Sequence, residues 1–271
     1  MRIYISADME GVSGVVSWDQ TGSEGRGEYE RARHLMTQEV NAAIEGAFRG
    51  GATYVLVNDS HNNMRNILIE QLDPRADLIT GSPKPYGMMQ GLDSTFHGCM
   101  FVGYHAMAGA PGVLSHTYAG SVLQYIINDQ VMGETGMNAY FAGEMGVPVL
   151  FVSGDAAVAR EAEALIPHVR TAQVKEAIGR SAARCMPPQR ARALIQEAAA
   201  EAVSLIGTVK PLIASRPVEL ALRFTTAGQA RAANLMPGTV PLDELTLSFT
   251  AQTYTDAFRA ARAMISLAAR T

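Results

Sequence analysis

The sequence predicts an α/β fold, a mostly parallel sheet flanked by helices, with a smaller C-terminal α+β portion. Three observations carry that expectation. Short β-branched and apolar runs each end at a polar residue, as buried strands do. A helical pattern separates the first two runs, which makes a βαβ unit with parallel strands and a right-handed crossover. Past Gly154 the pattern changes to alternating, half-exposed strands set among helices.

Taken in order, Arg2 to Ala7 is a buried strand that stops at Asp8, and a Gly- and Ser-rich loop runs from Gly11 to about Gly27. Apolar residues then recur at Tyr29, Ala32, Met36, Val40, Ala43, Ile44, Ala47 and Phe48. Steps of three and four put them on one helix face, and Gly50-Gly51 supplies the stop. Tyr54 to Val57 is a second strand, ending at Asn58-Asp59-Ser60-His61. Asp77 to Thr80 and Gly98 to Gly103 follow as strands, the latter running into Tyr104-His105. Asn128-Asp129 between Val122–Ile127 and Gln130–Met132 marks a hairpin. A helix spans about Thr135 to Met145, and Val147 to Val152, bounded by glycines, reads as a central strand. Beyond it come a helix from Ala156 to Leu165, a polar strand from Val169 to Ala177, and an Ala-rich helix opened by Pro187-Pro188 and running to about Ile206. Glu219–Thr225 and Leu245–Thr250 alternate like half-exposed strands, and a helix from about Tyr254 closes the chain.

Composition narrows the class of function. The 271 residues carry 22 Lys and Arg against 26 Asp and Glu, a net charge of −4, which offers no footprint for nucleic acid or an anionic membrane. At 48% hydrophobic and 18% charged residues the chain is not disordered. No apolar run approaches the length of a membrane span, and acidic Asp8 interrupts the N-terminus before a signal peptide's apolar region could form. A cytoplasmic protein is therefore expected. Cys99 and Cys185 fit no metal or redox spacing and read as reduced thiols.

The candidate chemistry lies at the strand ends. Asp8 and Glu10 are two apart where the first strand exits, so both carboxylates point to one side and need a cation between them; the alternative is a solvated loop with unrelated carboxylates. His61 and His105 follow the ends of other apolar strands and should reach the same sheet edge, where ligands of open parallel sheets gather. Imidazole and carboxylate together suit Zn2+ or Mn2+. Glu134 is either a third carboxylate ligand or an acidic residue favoured by a helix N-terminus. Five ligands exceed one tetrahedral site and point to two metals sharing a bridging carboxylate.

The stretch between Asp93 and Asp129 has no Asp, Glu, Lys or Arg yet keeps His97, His105 and His116, as expected of either protein interior around a polar site or a plain buried core. His116 is then a proton-transfer group or a core histidine. His34 and His168 have no identifiable partners, and His97 lies just before a strand, opposite to the end where the ligands gather. Ser6 and Ser60 are expected to hydrogen-bond the ligands. The glycine-rich Gly22 to Gly27 lacks a P-loop lysine, and no Gly-x-Ser-x-Gly elbow marks a serine hydrolase.

These residues resemble a known family. Ser6-Ala7-Asp8-Met9-Glu10-Gly11 is similar to the Ser-x-Asp-x-Glu-Gly opening of the DppA-type zinc-dependent D-aminopeptidases. The likeness continues through Asn58-Asp59-Ser60-His61, Gly103-Tyr104-His105-Ala106, His116-Thr117, Gly133-Glu134 and Arg223-Phe224-Thr225. The resemblance implies two zinc ions per chain. Asp8 would bridge them, Glu10 and His105 would complete one shell, and His61 and Glu134 the other. It implies cleavage of N-terminal D-amino acids, D-alanine above all, from short peptides, by a cytoplasmic homo-oligomer, a decamer of two stacked rings. His116 matches the family's active-site histidine, described there as a nucleophile. A zinc-bound water is the more economical nucleophile, so His116 is cast here as general acid/base or oxyanion stabiliser.

On this reading residues 1–154 form the metal-binding catalytic core and 155–271 a mixed α/β portion completing the fold. Three other readings are compatible with the same residues. A binuclear metallohydrolase acting on other amides or L-peptides is separated by comparing D- and L-alanyl amides. A non-catalytic metal-binding protein would hydrolyse neither, and a metal-free α/β interaction protein would purify without metal.

Overall fold

The apolar run at the start of the chain, Arg2–Ala7, is strand β1, and it lies inside a seven-stranded sheet in the computed structural model, which describes residues 1–269. The other members are β2 (Tyr54–Asp59), β3 (Ala76–Ile79), β4 (Gly98–Tyr104), β7 (Val149–Asp155), β8 (Arg170–Gly179) and β9 (Ala182–Cys185), in the order β3-β2-β1-β4-β7-β8-β9. All pairs are parallel except β8 with β9. β1, β4 and β7 are buried along nearly their whole length, which explains their unbroken apolar runs. The chain builds outward from β1 through β2 to β3, then returns to β4 on the other side. The carboxyl ends of β1 and β4 therefore flank a topological switch point, where a crevice opens.

A second, antiparallel sheet has the order β11-β12-β10-β5-β6, from β5 (Val122–Ile127), β6 (Gln130–Met132), β10 (Val218–Phe224), β11 (Val240–Pro241) and β12 (Thr246–Ala251). Asn128 and Asp129 take positive φ of 48° and 66°, the two left-handed residues of the expected hairpin turn. Residues on both sides of position 154 enter both sheets: β8 and β9 extend the first, and β10 pairs with β5 in the second.

Helix α1 (Gly27–Arg49) buries the predicted stripe from Tyr29 to Ala47, leaves Phe48 half-buried, and packs with α4 (Pro188–Val203). α2 (Glu134–Glu144) packs on β4 and on α6 (Tyr254–Ala268), and α6 covers β10 and β12, so these two helices join the sheets. Phe141 and Phe258 meet at 4.9 Å in that joint, and the buried Tyr254 hydroxyl donates to Met137 O at 2.9 Å. α3 (Ala156–Leu165) is capped by Asp155, whose carboxylate accepts from Ala157 and Val158 N–H. Three elements had no periodic signal in the sequence: β9, β11 and α5 (Ala227–Ala233). Each is short, and α5 is held by a capping box between Thr226 and Gln229 rather than by an apolar stripe. Among the described residues no helix is long and apolar enough to cross a membrane.

Candidate metal centre

Close backbone contact between the ends of β1 and β4 sets the first two carboxylates. Asp8 N donates to Val102 O at 2.8 Å and Gly11 N to Gly103 O at 2.7 Å. A side chain at position 11 would put its Cβ 1.9 Å from Tyr104 O, and one at position 103, where φ is +72°, would sit 2.2 Å from Asp8 O. Only glycine permits the crossing. The turn after β2 is shaped by the buried Asp59 carboxylate, which accepts from Asn66 N (2.5 Å), Ile67 N (2.7 Å) and Asn66 Nδ2 (2.8 Å); Asn66 Nδ2 also donates to His61 O at 2.7 Å. Glu134 is the first residue of α2, where the helix dipole favours an anion.

These elements bring all five expected ligands together, and all are buried. His61 Nδ1 is 3.1 Å from Asp8 Oδ1 and 3.0 Å from Glu10 Oε2. His105 Nε2 is 3.5 Å from Asp8 Oδ2 and 3.1 Å from Glu134 Oε1. Asp8 thus turns one oxygen to each histidine. His116 stacks on His105 with ring centroids 4.1 Å apart, and its Nε2 is 3.8 Å from Glu134 Oε1. Donor atoms of Asp8, Glu10 and His105 all lie within 4.8 Å of one another, as do those of His105, His116 and Glu134.

Each of the three histidines rests its other ring nitrogen on a backbone carbonyl: His61 Nε2 on Thr21 O (2.7 Å), His105 Nδ1 on Ala106 O (3.0 Å) and His116 Nδ1 on Leu114 O (3.0 Å). A carbonyl only accepts, so those nitrogens carry the N–H and a neutral ring turns its lone pair towards the carboxylates. Lone pairs facing carboxylate oxygens at 3 Å repel unless a cation or a proton lies between them. Glu10 Oε2 and His105 Nε2 are buried without a hydrogen-bond partner despite those short approaches. They are close without being aligned as donor and acceptor, which is how atoms aimed at a shared ion are placed. The donor set, nitrogen and carboxylate oxygen in a buried cluster, fits zinc.

The protonation tendencies agree. Burial raises the Asp8 carboxyl, and the charge of Glu10 adds to it. Burial would raise Glu10 too, but the neighbouring His61 outweighs it and holds Glu10 well below the carboxylate range. Against their own burial, His61 is held well above the ordinary imidazole value by Glu10 and Asp8, and His105 is pushed up to about 10 by Glu134. Carboxylates crowd these imidazoles into holding protons that a metal would displace. His116 moves the other way, lowered by burial and then by the charge of His105, so it is neutral near pH 7.

The cluster opens into a cavity of about 500 Å³ whose wall includes Trp18, Met64, Met88 and Tyr118. Ser6 and Ser60 do not bond the ligands as expected; they bond each other at 2.7 Å, and both donate to Met88 O, which takes up their hydroxyls instead. His34 bonds Gln71, and His97 accepts from Arg2 N, so both lie outside the site.

Lys175 is a functional residue the sequence concealed. The register between β7 and β8 shifts at Asp155 and Lys175, and the lysine is buried with its Nζ donating to the carbonyls of Glu10, Val12 (3.0 Å) and Val15 (2.5 Å). It ties down the loop that carries both carboxylates. A lysine after Val174 in a polar strand gives no pattern by which to single it out. Lys175→Met is expected to cost about 2–4 kcal/mol of stability, since three buried carbonyls lose their donor. Urea unfolding of the variant checks this, and an unchanged midpoint would refute it.

Comparison with known proteins gives consistent findings. A family described as D-aminopeptidase matches residues 1–263. A curated D-aminopeptidase of Bacillus subtilis (strain 168) is 48% identical over 273 residues, spanning 100% of this chain and 99% of the relative. A solved structure described as Zn-dependent D-aminopeptidase DppA from Bacillus subtilis, a self-compartmentalizing protease, is similar with a TM-score of 0.98 at 47% identity. That match covers 100% of this chain and 99% of the other.

Proposed function

The chain belongs to the D-aminopeptidase family, and from that premise we propose that Asp8, Glu10, His61, His105 and Glu134 hold two zinc ions beside His116. The activity is that of a zinc-dependent D-aminopeptidase, a metallo-enzyme that hydrolyses the bond after an N-terminal D-amino acid. The observation that carries the metal assignment is the orientation of the histidines: backbone carbonyls take the N–H of each ring and leave the opposite nitrogen facing the carboxylates.

Asp8 is the bridging ligand in this reading, supported by its two oxygens, each turned to a different histidine. Glu10 and His105 share one ion with it, supported by the proximity of those three donor groups. His61 and Glu134 complete the other. The contacts of His61 with Glu10 and of Glu134 with His105 run across that division, as expected where two shells share one small cavity. Manganese suits the same oxygen and nitrogen donors.

When bound, zinc supplies polarisation of the scissile carbonyl and acidifies water towards neutrality. His116 does the proton work. Its Nδ1–H on Leu114 O fixes the tautomer, and its lowered basicity leaves Nε2 free to accept a proton from the attacking water and return it to the departing amine. Trp18 packs edge-on against the His116 ring at 5.3 Å and limits its rotation. The buried cluster keeps the carboxylates out of water, which strengthens each charge interaction.

Metal content and stereochemistry together test the reading. About two zinc ions per chain are expected, with D-alanine para-nitroanilide cleaved far faster than the L form, activity lost on chelation and restored by zinc. Equal cleavage of both enantiomers would favour the broader metallohydrolase, and absence of zinc would overturn the assignment. We extend the reading to a cytoplasmic homo-oligomer, a decamer, acting on short peptides that begin with D-alanine. Its supports are the self-compartmentalizing relative and two free thiols, Cys99 and Cys185, which suit a reducing compartment.

A further inference from the structure

The cavity beside the carboxylate cluster also has a cationic wall. Lys84 and Arg262 both line it. Lys84 is buried, and its Nζ donates to Asn58 Oδ1 and Asp59 O, both at 2.6 Å. An ammonium has three protons, so one donor remains. Arg262, on α6, donates from Nε to the Tyr118 hydroxyl at 2.8 Å and from Nη1 to the carbonyls of Lys84 (2.6 Å) and Pro85. Its Nη2 has no hydrogen bond among the described residues. Neither cation is ion-paired to a carboxylate there either; Asp59, which acts electrostatically on Lys84, is committed to Asn66 and Ile67.

Two adjacent cations repel, and burial adds to the cost. Burial lowers the Lys84 ammonium, and Arg262 reinforces that against the opposing charge of Asp59, to about 8. An anion placed between them would relieve both penalties. Space is kept for the guanidinium: a Cβ at Gly87, where φ is +48°, would fall 3.0 Å from the Tyr118 hydroxyl and 3.1 Å from Arg262 Nε.

Tyr118 measures the separation between the two walls. Its N–H donates to Glu134 Oε1 at 2.7 Å while its hydroxyl accepts from Arg262 Nε. The ligand cluster and the guanidinium are thus one tyrosine apart. Successive Cα atoms of a peptide are about 3.8 Å apart, so that length corresponds to one or two residues beyond the scissile bond.

We propose that Lys84 and Arg262 form a subsite for the free C-terminal carboxylate of the substrate, which selects di- and tripeptides over blocked or long ones. The proposal rests on the aminopeptidase reading above. A short peptide whose scissile bond lies at the ligand cluster then meets cations at its carboxylate end. Arginine and lysine side by side provide a planar donor edge and a point charge for one carboxylate.

The test compares D-alanyl-D-alanine with its C-terminal amide on the zinc-loaded enzyme. The free acid is expected to show a kcat/KM about ten- to a hundredfold higher, through KM, as a charge-assisted pair provides. Arg262→Met should bring the ratio of acid to amide close to one, and Arg262→Lys should keep part of it. Arg262 also braces Lys84, Pro85 and Tyr118, so the wild-type comparison and the lysine variant guard against a folding defect. Equal cleavage of acid and amide by the wild type would overturn the subsite, as would an unchanged ratio in Arg262→Met. If neither probe is cleaved, the aminopeptidase reading has failed. Calorimetry with the same two molecules then decides: a preference for the acid that Arg262→Met abolishes supports the subsite, and equal affinities refute it.

Discussion

Asp8→Ala is expected to empty both proposed metal positions and to lower D-aminopeptidase activity by at least about four orders of magnitude. The size of the effect follows from position. Asp8 touches His61 through one carboxylate oxygen and His105 through the other, so no other ligand reaches both histidines with separate atoms. Its N–H is tied to Val102 O and its Oδ1 accepts from Met9 N, which leaves the carboxylate little freedom to serve one side alone. Removing it also relieves burial of a carboxylate next to Glu10, so the metal-free variant should be no less stable to heat than metal-free wild type. Zinc analysis of purified protein is the decisive measurement. Retention of about two ions per chain would remove Asp8 from the bridging role.

His116→Ala should lower kcat by about a hundred- to ten-thousandfold while zinc content and KM change little, the range removed by loss of a positioned acid/base. The contrast with Asp8 is informative because His116 lies against the cluster, 3.8 Å from Glu134, and is half-buried rather than enclosed. Its basicity is lowered first by burial, which keeps the ring neutral near pH 7 and able to accept a proton. An attacking imidazole would instead leave an acyl group on the ring, visible as a mass increase after rapid quenching of the wild type. Near-normal kcat in the alanine variant would end both roles.

The legibility of this chain varied with the kind of signal. β1, the hairpin at Asn128-Asp129 and the helix Ala156–Leu165 followed from apolar periodicity and turn chemistry, which are local properties. Asp8, Glu10, His61 and His105 could be singled out as candidates, and they do cluster, because residues just after a buried parallel strand emerge at the sheet's ligand-binding edge. Glu134 and His116 had weaker signals: one could have been an ordinary acidic residue of a first helical turn, the other a core histidine. Lys175, Lys84 and Arg262 had none. A lysine in a polar strand and an arginine on a terminal helix ordinarily face water, and only the register shift beside Asp155 and the packing of α6 across the cavity turn them inward.

By itself, then, the order of residues determined the strands, the helices, the α/β class and a list of candidate metal ligands, because each depends on neighbours within a few positions. Which oxygen meets which nitrogen, which carbonyl fixes each imidazole tautomer and which cations close the far wall were decided by tertiary structure alone. Those relations join residues as distant as Lys84 and Arg262, or Glu10 and Lys175. Contact across such separations comes from how sheets and helices pack in three dimensions, and no local pattern in the chain records it.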